Sequence, residues 1–255
     1  MTWSAAQYVK FEDERNRPVL DLLGPIRTAD VTSVADIGSG PGNSTALLRK
    51  HYPQASITGI DNSADMVEAA RRRLPEVTFH IDDIATWRDP GPFDIILANA
   101  ALQWIPDHAS LFPRLIDKLA MGGTLAVQMP DNLGEPAHQL MREIAADGPW
   151  ADKLSGAAGS RAPRHDPSWY FRLLHGTVGV VDIWRTTYYH PLAGSEAIVE
   201  WFKGSGLRPY LDPLNPSERD AFLGRYQTAI DQTYPSLSDG TVLLPFPRLF
   251  ILAQR

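Results

Sequence analysis

The sequence predicts an α/β fold: a seven-stranded mixed sheet with helices on both faces, extended by a helical cap. Three observations carry this expectation. Short apolar runs alternate with helical patterns through the first half of the chain. A glycine-rich turn links the first of those runs to a helix, and two further apolar runs, at 179–190 and 242–253, stand outside the alternation. Strand alternating with helix is the pattern of a parallel sheet covered on both faces.

In chain order, strands are expected at 33–37, 56–60, 77–81, 94–98 and 123–129, with helices near 44–51, 64–73 and 109–120 between them. After Asp131 the rhythm changes. A helical pattern covers 133–147, and a Gly/Ala/Ser/Arg/Pro-rich stretch at 155–167 reads as a loop too short to be a linker. Then follow a helix near 167–175, a strand at 179–190, helices near 194–204 and 216–232, and a last strand at 242–253. The two late strands are expected to extend the sheet antiparallel at its edge, the helices between them forming the cap. The chain thus divides into N-terminal lid helices (1–30), a ligand-binding core (31–132), and cap helices interleaved with the last two strands (133–255), all in one domain. Tyr8 and Phe11 stand three apart on one face of the lid.

A chain of 255 residues suits one large α/β domain with an ample core. Its net charge of −6, with no Lys/Arg run longer than Arg71-Arg72-Arg73, argues against a nucleic-acid duplex as substrate. The absence of cysteine excludes disulfides, thiolate metal sites and a cysteine nucleophile. Residues Met1 to Arg15 show no apolar stretch for a signal peptide, and no run reaches the ~18 apolar residues of a membrane span. A cytoplasmic protein with no membrane partner is expected.

The stretch Val34-Ala35-Asp36-Ile37-Gly38-Ser39-Gly40-Pro41-Gly42-Asn43-Ser44-Thr45 reads as strand, glycine turn and helix start. Glycines at three alternate positions let backbone approach a ligand, because glycine reaches positive φ without steric cost. Asp61 lies 21 positions beyond Gly40, at the end of the next apolar run, where a carboxylate can accept from both hydroxyls of a ribose. Together these features point to a nucleoside-containing cofactor. The dinucleotide fingerprint G-x-G-x-x-G is not met, since the third glycine comes one residue early and Asn43 holds its place. Asp36 would also repel a pyrophosphate, whereas it suits a cationic amino group. A nicotinamide dehydrogenase is therefore the weakest alternative.

The pattern D-I-G-S-G-P-G resembles the first motif of the class I S-adenosylmethionine-dependent methyltransferases, whose fold is Rossmann-like. In such sheets ligands sit beyond the carboxyl ends of the strands, and Asp61, Asp82-Asp83, Asn99 and Gln128-Met129 all fall at such ends. The resemblance implies that Gly38, Ser39, Gly40 and Gly42 cradle S-adenosylmethionine, that Asp36 positions its amino group, and that Asp61 holds the ribose; Asn62 beside it is either a contact to ribose or adenine or an ordinary turn residue. Met66 is either a cover for the adenine face or a core residue. Asp83 and the Ile84 N–H match the adenine-binding pair, with Asp82 the alternative acid; Asn99 and Ala100 complete the set. No third ligand accompanies the two aspartates, so no metal is expected. Asn99 is not followed by the Pro-Pro-aromatic of enzymes that methylate a flipped DNA adenine; Gln103 and Trp104 instead resemble the small-molecule methyltransferases.

The segments Gln103-Trp104-Ile105-Pro106-Asp107-His108, Gln128-Met129-Pro130-Asp131-Asn132, Asp182-Ile183-Trp184-Arg185-Thr186-Thr187-Tyr188-Tyr189-His190, Leu207-Arg208-Pro209-Tyr210-Leu211 and Phe246-Pro247-Arg248-Leu249-Phe250 resemble the trans-aconitate 2-methyltransferase family. The likeness runs from Trp3-Ser4 to the last residues and fails only across 151–167. It implies transfer of a sulfonium methyl to one carboxylate of a tricarboxylate, giving a monomethyl ester and S-adenosylhomocysteine. A carboxylate is already ionised at neutral pH, so no catalytic side chain is expected and alignment carries the reaction. Arginine suits bidentate carboxylate recognition, which makes Arg164, Arg208 and Arg248, with Lys203, the candidate cations. Gln103, Trp104, Gln128, His138 and Tyr188 are the candidate neutral contacts. The N-terminal helices are expected to close over the cofactor, and nothing in the sequence specifies an oligomer. Two alternatives stay open: another small-molecule O- or C-methyltransferase, with His138 or His108 as base, and a non-catalytic S-adenosylmethionine-binding protein.

Overall fold

The structure is a computed structural model that describes residues 12–157 and 164–255. Tyr8 and Phe11 of the expected lid lie outside the described residues. The first described helix, α1 (Glu12–Leu23), buries Val19, Leu22 and Leu23. It packs on the helix at Asn43–His51 and on the strand at Leu119–Pro130. This part of the expected lid is therefore a core helix, because its apolar face is spent on the sheet.

The alternating half follows the expected order: β1 (Ser33–Ile37), α2 (Asn43–His51), β2 (Ser56–Asp61), α3 (Ala64–Arg73), β3 (Thr78–Ile81), β4 (Phe93–Asn99), a single 3-10 turn (Leu102–Trp104), α4 (His108–Asp117) and β5 (Leu119–Pro130). These strands pair in parallel, with Val34 opposite Ile57 on one side of β1 and Ile95 on the other. A strand buried between two neighbours reads as a continuous apolar run, which is why Val34-Ala35-Asp36-Ile37 shows no alternation. β5 begins four residues earlier than expected. The strand passes through Gly122-Gly123, with an irregularity of register between Phe93 and Ile95. A Cβ on Gly123 would stand 2.8 Å from the Phe93 carbonyl oxygen, so glycine is what lets the strands close there.

The rest of the chain forms α5 (Pro136–Ala146), α6 (Ala151–Leu154), α7 (Pro167–Leu174), β6 (Val180–Ala193), α8 (Glu196–Lys203), α9 (Arg208–Leu211), α10 (Pro216–Thr233) and β7 (Thr241–Gln254). The sheet has seven strands in the order β3-β2-β1-β4-β5-β7-β6. β7 runs antiparallel to β5: at the start of β5 the Gly122 N–H donates to the Arg255 carbonyl, and the Arg255 N–H returns to Gly123, each at 2.9 Å. At its other side the Gly179 N–H, just before β6, donates to the Gln254 carbonyl at 2.8 Å, again start to end. The sheet is mixed, as expected.

The chain divides into two compact units. The first holds residues up to Pro130, Arg164–Thr186 and Leu249–Arg255. α7, expected among the cap helices, belongs to it: Tyr170 and Leu174 join the buried cluster that contains Ile37, Ile96, Phe112, Leu125 and Ile251. The second unit holds Asp131–Pro163 and Thr187–Arg248. There α10 packs on α5 and α8, with Trp150, Phe222, Tyr226 and Ile230 fully buried or nearly so. Their polar atoms are satisfied: the Trp150 indole donates to the Ile144 carbonyl at 2.8 Å and the Tyr226 hydroxyl to Ala137 at 3.1 Å.

Candidate active site

In the first unit, the chemistry-bearing residues gather at the carboxyl ends of β1, β2 and β4. β1 carries Asp36 to the glycine turn, where it is fully buried. Its Oδ2 accepts the hydroxyls of Ser44 (2.8 Å) and Thr45 (2.6 Å), both in the first turn of α2, while Oδ1 has no hydrogen-bond partner. Burial raises its pKa from 3.8 to about 6, against the lowering by Thr45 and Ser44. Ser44 and Thr45 were missed by the sequence reading; their signal was two hydroxyls opening a helix directly after the turn.

All three turn glycines sit at positive φ: Gly38 at 77°, Gly40 at 54° and Gly42 at 86°. Their surroundings differ. A Cβ on Gly38 would stand 2.3 Å from the Cβ of Ala101, so Gly38 makes room for the segment after β4. Gly42 lies against Ala70 of α3, where a Cβ would stand at 3.4 Å. Only Gly40 faces open space, with nothing within 4 Å of a Cβ placed there. Its N–H donates to Asp61 Oδ2 at 3.0 Å, and Asp61 Oδ1 accepts the Ser63 N–H at 2.9 Å. Each oxygen of Asp61 keeps a lone pair for a further donor. Burial raises the Asp61 pKa as well.

Beyond β3, the Asp82 N–H donates to the Asp61 carbonyl at 3.1 Å, which joins the two strand ends. Asp83 is exposed and caps a turn, its Oδ1 accepting the Ala85 N–H at 2.8 Å; Ile84 beside it is buried. Asn62 is exposed. Met66 is 3% exposed and belongs to the core of α3, so it offers no face to an adenine.

Beyond β4, Asn99 holds its side-chain Oδ1 buried with no partner. Ala100 adopts φ 51°, its N–H donating to the main-chain carbonyl of Gln128 at 2.9 Å. Gln103, expected at the acid substrate, turns back instead: its Nε2 donates to the Ala100 carbonyl at 2.6 Å, and its buried Oε1 has no partner. Gln128 is fully buried at the end of β5, and Trp104 is partly exposed. Further on, His108 is buried with both ring nitrogens engaged. Nε2 lies 2.8 Å from the Leu102 carbonyl, which can only accept, so Nδ1 accepts the Tyr170 hydroxyl at 2.7 Å. Burial lowers its pKa, and Arg164 and His165 nearby lower it further. A neutral imidazole with both nitrogens occupied is no general base, which removes one of the two bases considered for phenol or carbon methylation.

In the second unit, Arg248 is 4% exposed. Its guanidinium carbon lies 4.7 Å from the Phe246 ring centroid and 5.9 Å from that of Tyr188, a cation held between two aromatic rings. Phe246 packs in turn on Trp201 and His190. These three aromatic residues were missed, although alternation on a strand places Phe246 on the same face as Arg248 and His190 on the same face as Tyr188. His138 is buried edge-on to Phe202 at 4.9 Å, a packed position. Lys203 pairs with Glu200 one turn back at 2.5 Å, so its charge is met locally and it is not a free anchor. Arg208 is half-buried at the start of α9.

A parallel-cored sheet with a glycine turn after β1 and acids at the ends of β1 and β2 is the arrangement of a methyltransferase of Rossmann-like fold. Residues 34–123 match the family model described as a methyltransferase domain. The solved structure of the YcgJ protein from Bacillus subtilis superposes with a TM-score of 0.59 at 17% identity, over 94% of this chain and 98% of that one. That of Haemonchus contortus phosphoethanolamine N-methyltransferase 2 in complex with S-adenosyl-L-methionine gives 0.56 at 17%, over 94% and 52%. Closer relatives go further than the fold. The chain is 54% identical to the trans-aconitate 2-methyltransferase of Methylobacterium nodulans, over 99% of this chain and 98% of that protein. It is 52% identical to the one from Afipia carboxidovorans (99% of each) and 49% to the one from Rhizobium etli (100% of each). The chain belongs to the trans-aconitate 2-methyltransferase family. Among the described residues no group of three or more acids or histidines is arranged to hold a metal ion, and no helix is long and apolar enough to cross a membrane.

Proposed function

We propose that this chain transfers a methyl group from S-adenosylmethionine to one carboxylate of trans-aconitate, giving the monomethyl ester and S-adenosylhomocysteine. The observation that carries the reading is identity of about one half along the whole chain, second unit included, with proteins named for that substrate. Substrate-recognising segments vary most among methyltransferases, so likeness there speaks to the acceptor as well as to the donor.

The cofactor reading draws on the donor set. Asp36 Oδ1 and Asn99 Oδ1 are acceptors, both buried and both without a partner. That chemistry fits an ammonium, which has only donors to offer. Asp61 has acceptor capacity left for a ribose, and the open side of Gly40 lets backbone approach the ligand. When bound, S-adenosylmethionine would supply an electrophilic methyl for a carboxylate oxygen to accept, the O–C bond forming as the C–S bond breaks and S-adenosylhomocysteine leaves. The protein then has to bind, orient and exclude water. No proton has to leave a carboxylate at neutral pH, which agrees with a His108 committed to structure. In the second unit, Arg248 between Phe246 and Tyr188 would grip a carboxylate that does not react, its planar fork fixing orientation as well as charge.

The test is transfer of a labelled methyl from S-adenosylmethionine to a panel of di- and tricarboxylates, with phenols as controls. Preference for trans-aconitate and a rate flat from about pH 7 to 9 are expected, because the acid is ionised throughout. Preference for a phenol, or tight cofactor binding with no turnover on any acid, would overturn the proposal.

A further inference from the structure

We infer that Gln103 is a positioning residue for the cofactor: it acts by holding Ala100 in a left-handed turn at the end of β4. The inference rests on reading this site as the one for S-adenosylmethionine. Ala100, at φ 51°, is one of two non-glycine residues at positive φ among the described residues, the other being Asp30 at 48°. An L-residue with a Cβ is strained there, and alanine has no polar side chain to compensate. Strain of this kind persists only where the surroundings over-determine it.

Three contacts do so here. The Cβ of the next residue, Ala101, fills the space left by the missing side chain of Gly38. The Ala100 N–H is taken by the Gln128 main-chain carbonyl at 2.9 Å. The Ala100 carbonyl is taken by Gln103 Nε2 at 2.6 Å. Two of these are backbone or packing contacts that follow from the fold; the third belongs to one removable amide. That contact also decides which way the amide faces, since a carbonyl must be met by the NH2 end. Oε1 is thereby left buried and without a partner, as is Oδ1 of Asn99, the residue just before the strained turn. If Ala100 relaxed to an ordinary φ, the chain direction after Asn99 would change and its acceptor would leave the set around the turn. Gln103 therefore fixes the geometry of its neighbours more than it binds anything itself.

The test is a double-mutant comparison read by calorimetry with S-adenosylhomocysteine, at pH 8, on the full chain. Gln103→Met keeps the length of the side chain and removes the donor. It is expected to weaken binding about tenfold, the scale of one left-handed alanine no longer held. Glycine takes positive φ without strain. In an Ala100→Gly background the same Gln103→Met change is therefore expected to cost less than about twofold relative to Ala100→Gly alone. An equal loss in both backgrounds would overturn the inference and make Gln103 a direct ligand contact. Unchanged binding with a raised KM for the acid alone would overturn it too, and return Gln103 to the substrate. A second variant, Gln103→Glu, keeps an acceptor but sets a charge against the Ala100 carbonyl; binding at the wild-type level in that variant also refutes the inference, whether or not the methionine variant folds. Failure of the unmodified protein to bind S-adenosylhomocysteine is a different result, and refutes the cofactor reading itself.

Discussion

Asp36 gives the sharpest quantitative expectation. In the ligand-free protein it is fully buried, with one oxygen satisfied by Ser44 and Thr45 and the other unmet, and its pKa lies at about 6. A cationic amino group binds the ionised form. With a pKa of about 6, roughly one carboxylate in eleven is ionised at pH 5 and nearly all at pH 8. Affinity for S-adenosylhomocysteine should therefore fall about tenfold between pH 8 and pH 5, or about 1.4 kcal/mol. An aspartate at the ordinary value of 3.8 would lose less than about 10% of its ionised form over that range. Stability of the ligand-free protein runs the other way. A raised folded pKa means that Asp36's stabilising contribution is whole below pH 3.8 and is lost as the pH rises through about 6. Calorimetric titrations from pH 5 to 8 measure the first effect. Asp36→Asn should bind weakly at every pH and lose most of the slope, keeping only the share contributed by Asp61, whose pKa burial also raises. A pH-independent affinity in the unmodified protein, or a tenfold slope surviving in Asp36→Asn, would refute the reasoning.

Three further expectations test the site residue by residue. Gly38→Ala should lower the melting temperature by the equivalent of about 1–3 kcal/mol, because its Cβ meets Ala101; Gly40→Ala should cost less stability and more cofactor affinity, because it faces open space. The two are separated by setting thermal melts beside calorimetry. Arg248→Ala should raise KM for the acid far more than KM for the cofactor; lost stability with unchanged kinetics would show that the guanidinium serves only packing between Phe246 and Tyr188. His108→Phe should destabilise by about 1–3 kcal/mol by leaving the Leu102 carbonyl and Tyr170 hydroxyl unmet, yet keep turnover above pH 7. Turnover lost above pH 7 while the protein stays folded would restore His108 as a base.

The positions of the strands along the chain and the strand ends carrying Asp36, Asp61 and Asn99 were legible because buried parallel strands write themselves as apolar runs, and such sheets bind ligands at one end. What a side chain does once delivered there was less so. Gln103 and Lys203 are both polar residues expected at the acid substrate, yet one closes on a main-chain carbonyl and the other on Glu200, contacts that depend on rotamers absent from any spacing rule. The three glycines look equivalent in sequence, and only their neighbours, Ala101, Ala70 or open space, tell them apart. Met66 had two readings, and burial chose the core. The short α6 and α9, four residues each, are below the length at which periodicity speaks.

The position of β7 has a consequence for synthesis. Residues 249–254 lie between β5 and β6 in the sheet, yet both of those strands precede them in the chain. A nascent chain therefore emerges from the ribosome with the edge of β5 bare, and it stays bare while more than a hundred further residues are made. Unpaired strand edges recruit other chains. The first unit thus completes its fold only after translation reaches the last strand, and a chain stopped just short of it would carry every cofactor-site residue named above on a sheet that cannot close.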